Sequence, residues 1–125
     1  MSSSQIDVGL DSTDVDNDTL PTAASDLTTG ATLASVKLGS ANPAFADSQI
    51  SADIIGSLRL GIINTNNSGS PEGVAAASMS SIVASLSSGG SLILGKAQLK
   101  SAAILSAYLT AKKITLGDFQ VDLLS

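Results

Sequence analysis

Gly56-Ser-Leu-Arg-Leu-Gly61 is a short stretch to which the chain keeps returning. Its five-residue body stands as SVKLG at 35–39, SLRLG at 57–61, SLILG at 91–95 and KITLG at 113–117. The closing glycines fall at 39, 61, 95 and 117, at intervals of 22, 34 and 22 residues. A degenerate copy, Ser81-Ile-Val-Ala-Ser85, divides the long interval into 24 and 10. Self-similarity at a period of about 22–24 residues marks a repeat architecture.

The phrase carries strand chemistry. Val36 and Leu38, Leu58 and Leu60, Leu92 and Leu94, and Ile114 and Leu116 are each two apart. In an extended chain such pairs point to one face. The residue between them is Lys37, Arg59, Ile93 or Thr115, mostly polar and directed outward. The closing Gly can take positive φ and so turn the chain. One strand per coil, each stacked on the last, predicts a parallel β-solenoid with an aliphatic column inside.

Other segments fit that frame. Ile50–Ile55 reads as a strand leading to Gly56, and NTNNSGSPEG at 64–73 as a turn-rich excursion. Gly117–Leu124 alternates Phe119, Val121 and Leu123 with Gln120 and Asp122, the pattern of a half-buried terminal strand. Leu99, Ala102, Ala103, Leu105, Tyr108 and Leu109 lie at helical spacing and predict a helix over 97–111. Val74–Ser87 carries two signals, helix formers ahead of Gly89-Gly90 and the repeat register at Ser81–Ser85; the register favours a strand.

The length of 125 residues suits one folding unit. Apolar residues make up 43 % but aromatics only 2 %, so Leu, Ile, Val and Ala must build the core. Such small aliphatic material suits thin regular stacks. Six of the eleven acids (Asp7, Asp11, Asp14, Asp16, Asp18 and Asp26) precede any base. This asymmetry divides the chain into an acidic extended segment or linker at 1–29 and a β-solenoid module at 30–125.

Cys and His are both absent. This removes disulfides, thiolate nucleophiles, the usual zinc ligands and the commonest general base. The net charge of −5 argues against nucleic acid as a partner, since phosphates demand clustered Lys and Arg. Apolar runs are too short or too interrupted to predict a membrane span. The first ten residues, MSSSQIDVGL, lack a signal peptide's basic and apolar regions, so an exported protein would carry its signal further upstream.

Two motifs invite a chemical reading. Gly90-Ser-Leu-Ile-Leu-Gly95-Lys96-Ala97 satisfies G-x-x-x-x-G-K, but Ala97 stands where magnesium needs a hydroxyl. Its Leu-Ile-Leu wants burial, so a strand is the better reading. Asp14, Asp16 and Asp18 alternate as in a calcium loop, where hard oxygens surround a hard cation. They are the candidate Ca2+ ligands, although Thr19 and Ser25 replace the Gly and Glu of a helix–loop–helix site. A solvated acidic linker is the competing reading of that run. Asp47, Asp53, Arg59 and Glu72 are the dispersed material a carbohydrate-active enzyme would have to use. Asn17-Asp-Thr19 and Asn66-Asn-Ser68 are sequons.

IIGSLRLG at 54–61, NTNN at 64–67, EGVAAASMSSI at 72–82 and GDFQVDLL at 117–124 together resemble the C-terminal ends of long bacterial surface proteins. These are haemagglutinin- or adhesin-like repeat chains, often with Calx-β or cadherin-like modules. The resemblance spans residues 30–124 and rests on short motifs of common residues. It implies an all-β fold, a short right-handed parallel β-solenoid of about four or five coils with the flanking helix. It also implies a non-enzymatic structural or adhesive role at the cell surface or outside the cell. Other domains of a longer chain, self-association through solenoid ends, and surface glycans or proteins would be its partners. A calcium-dependent binding module and an enzyme on the same fold are the alternatives.

Overall fold

The computed structural model describes residues 5–8, 25, 27–39 and 43–124. Within them the repeated phrase pairs with its own next copy. Ser35, Val36 and Lys37 lie beside Ser57, Leu58 and Arg59. Those in turn lie beside Ser81, Ile82 and Val83. The offsets of 22 and 24 residues are the intervals between the copies. Leu58, Leu60 and Ile82 are fully buried while Lys37 and Arg59 are exposed, as alternation requires.

The strands are β1 (Gln5–Val8), β2 (Thr32–Lys37), β3 (Gln49–Ile63), β4 (Glu72–Leu86), β5 (Ser91–Leu94) and β6 (Phe119–Leu123), with helix α1 (Ala102–Ala111) before β6. They form one open sheet. β3 and β4 pair in parallel at its centre. β1 and β2 follow one another along the free side of β3, both parallel to it. β5 and β6 share the far side of β4. Gln5–Val8 is thus part of the sheet, opposite Gln49–Ala52. No helix among the described residues is long and apolar enough to cross a membrane.

The long strands bend. Phe45 bridges Ile63, and Phe45 precedes Gln49 by four residues. Ile63 therefore lies within about 20 Å of Gln49, the reach of that short link plus one strand spacing. A straight run from Gln49 to Ile63 would span about 46 Å at the usual rise. One bend is visible as a register shift between Arg59 and Gly61, where Gly61 has φ +65. An irregularity of this kind bends a strand. The bent strands enclose Ile50, Ile55, Leu58, Leu60, Ile63, Val74 and Ile82, all fully buried. Phe45 and Phe119 meet edge to face at 5.6 Å within the same core.

Val74–Ser87 resolves as strand up to Leu86, because pairing along both sides of β4 outweighs the helix propensity of its alanines. Two copies of the phrase depart from the expected stacking. Ser91–Leu94 runs antiparallel to β4, and 113–117 is not a strand at all. Gly89 and Gly90, with φ +104 and +90, reverse the chain directly after β4. The helix is shorter than 97–111. Gly95 and Gln98 hold residues 95–99 in a turn, and Ser101 accepts from the Ile104 N–H as the N-cap.

Candidate functional site

The end of α1 and the β4–β5 hairpin face one another across an open cleft of about 720 Å³. Its apolar wall is Leu86, Ile93 and Ile114. Ile93, on the outer face of β5, is 61 % exposed. Ser88, Ser91 and Thr115 bring hydroxyls, and Gly89 and Gly90 leave bare backbone. Tyr108 is half-buried and donates a long hydrogen bond of 3.4 Å to the Ile93 carbonyl. Lys112, the C-cap of the helix, and Lys113 just beyond it line the cleft and are exposed. A second cavity of about 430 Å³ lies beside it, and Lys113, Ile114 and Thr115 belong to both.

Local backbone chemistry sets Lys113. The Ile114 N–H donates to the Leu109 carbonyl at 2.9 Å, and the Lys113 N–H to that of Thr110 at 3.1 Å. These two bonds are a Schellman closure, and its left-handed position is held by Lys113 at φ +55. Glycine normally stands there, because a Cβ in that conformation is crowded. Lys113→Gly should therefore stabilise the fold by about 0.5–1 kcal/mol, read as a higher denaturation midpoint. A lower midpoint would mean that the Lys113 side chain holds the helix end in place.

A different kind of environment surrounds Glu72. It follows the 64–71 turn, is 0 % exposed, and neither carboxylate oxygen has a hydrogen-bond partner. Burial raises its pKa to about 7. The N–H groups of Asp47 and Ser48 pull it down without reaching hydrogen-bond geometry, and the charges of Asp47 and Asp118 push it up. Asp118 is engaged by the turn, accepting from the N–H groups of Asn67 at 2.6 Å and Gly69 at 3.0 Å. The Asn67 side chain in turn donates to Asp47 at 3.2 Å. Among the described residues no three acids converge with metal-ligand spacing.

Of the residues singled out in the sequence, Asp14, Asp16 and Asp18 lie outside the described residues. Asp47 and Glu72 come together. Asp53 stands apart and accepts from the Gly30 N–H at 2.6 Å, and Arg59 is exposed on β3 beside Lys37. The phosphate-loop pattern is a strand, with Leu92 and Leu94 buried. The cleft was announced by a signal of another kind. Residues 73–117 contain no Asp or Glu but four lysines, at 96, 100, 112 and 113, in a chain of net charge −5. No family model, curated protein or solved structure matches the chain.

Proposed function

We propose that the chain is a structural module of a bacterial cell-surface or secreted repeat protein, built as a short right-handed parallel β-solenoid. One observation carries the reading: copies of a single phrase stack in parallel at offsets of 22 and 24 residues, on strands that bend within one turn of the repeat. Its work is mechanical. Backbone ladders run between tiers, an aliphatic column fills the interior, and the hairpin with α1 closes one end.

The opposite end offers the β1–β2 edge, which has no further strand beside it among the described residues. Exposed edges recruit strands. The module therefore joins a further tier there, from a longer chain or from a second copy. Sedimentation velocity over a wide concentration range tests the second-copy form. The chain has no Cys, so Ser35→Cys on β2 gives a unique thiol at that edge. Concentration-dependent dimers that cross-link through Ser35→Cys, and not through Ser88→Cys in the hairpin, are expected. A monomer at every concentration, with equal cross-linking from the two positions, would sink the edge-pairing reading.

A further inference from the structure

We propose that the cleft between the β4–β5 hairpin and the end of α1 binds an acidic saccharide, a sugar chain carrying carboxylates. The inference is independent of whether the sheet joins further tiers. Four features of the cleft point the same way.

The first is charge. Residues 1–72 and 118–125 together hold all eleven acids and two bases, a balance of −9. Residues 73–117 hold four lysines and no acid, a balance of +4. Lys112 and Lys113 of that stretch stand at the cleft, and among the described residues no acidic side chain lines it. No ion pair engages either lysine among the described residues. The cleft thus draws an anion on a molecule whose net charge repels it.

The second is the cost of Lys113. It holds a backbone conformation that Gly would take more cheaply, and it does so at the point shared by both cavities. Strained positions of this kind concentrate where a side chain is needed for a ligand. The third is size. About 720 Å³ falls within the range of small-molecule sites and is far larger than a lone oxyanion needs. The fourth is the mixture of surfaces. The Tyr108 ring and exposed Ile93 offer an apolar face to a sugar's C–H side. Ser88, Ser91 and Thr115 offer hydroxyls to its hydroxyls, and the ammonium groups meet its carboxylates.

The test titrates the full chain by calorimetry with oligogalacturonate, with the matching neutral galactose oligomer, and with inorganic sulfate. Oligogalacturonate should bind and weaken with added salt, while the neutral oligomer and sulfate should not bind measurably. Lys112→Gln with Lys113→Gln should weaken binding about tenfold, two modest charge pairs lost. Lys37→Gln with Arg59→Gln removes equal charge elsewhere and should leave binding unchanged. Lys113→Gly keeps the helix end intact and should still weaken binding, which separates loss of the ammonium from loss of fold. Equal binding of the neutral oligomer, sulfate competing as a sufficient ligand, an equal effect of the Lys37/Arg59 pair, or no binding at all would each overturn the proposal.

Discussion

The protein should melt roughly 10 °C lower at pH 8.5 than at pH 5, and Glu72→Gln should remove most of that difference. The cause is the carboxyl of Glu72, enclosed at the entry to β4 with neither oxygen hydrogen-bonded. Its pKa is about 7 folded against 4.5 for the free side chain. A raised folded pKa means the native state holds its proton more tightly than the unfolded chain. The stability this contributes is complete below the unfolded value and is lost as pH climbs through 7. Between pH 5 and 8.5 the loss is about 2 kcal/mol. Asp47 and Asp118, which face Glu72, add repulsion once it ionises. Asp122, also raised by burial, contributes in the same sense. Thermal melts of wild type and Glu72→Gln across this range decide the matter. An undiminished slope in the variant would show that the dependence originates elsewhere.

Gly73→Ala should cost about 3 kcal/mol or more, the largest loss expected from adding one methyl group. Gly73 is buried and flanked in register by Gln49 on β3 and Gln120 on β6. Its φ of +147 is already closed to a side chain. A Cβ there would overlap the Gln120 carbonyl oxygen and lie 2.7 Å from the Gln120 nitrogen. That obstacle is backbone of a paired strand, so no rotamer relieves it. Gly69→Ala is the control. It also has positive φ, +82, but its Cβ would meet nothing within 4 Å, so about 1 kcal/mol is expected. Denaturant unfolding of the two variants gives the comparison. Equal losses would mean that β6 yields easily and is not a fixed part of the sheet.

What was legible in the sequence was what alternation and period encode locally. Leu58 and Leu60 two apart, and the 22- and 24-residue steps to their neighbours, are visible without coordinates, and β2, β3 and β4 follow from them. Direction is not local. The alternation in Ser91–Leu94 serves a parallel or an antiparallel neighbour equally well, and the glycine pair before it settles the choice. The last copy, at 113–117, was lost to α1, whose closing bonds use Lys113 and Ile114. Glu72 was opaque for another reason. An acid after Pro71 reads as surface, and its burial comes from Ser48 and Phe119, neighbours across the sheet that lie 24 and 47 residues away. The run of acid-free residues around the cleft lay in plain view, but charge alone does not say that a hairpin and a helix end will meet there.

The antiparallel return of β5 has a consequence for growth. The β1–β2 edge presents one polarity along its whole length, whereas the β5–β6 edge presents two opposed polarities side by side. A continuous strand of the kind found in β3 can extend the first edge but matches only half of the second. If copies pair through the β1–β2 edge as proposed, each would have an association valence of one. Such copies would then cap a stack rather than lengthen it, as a monofunctional monomer ends a polymer.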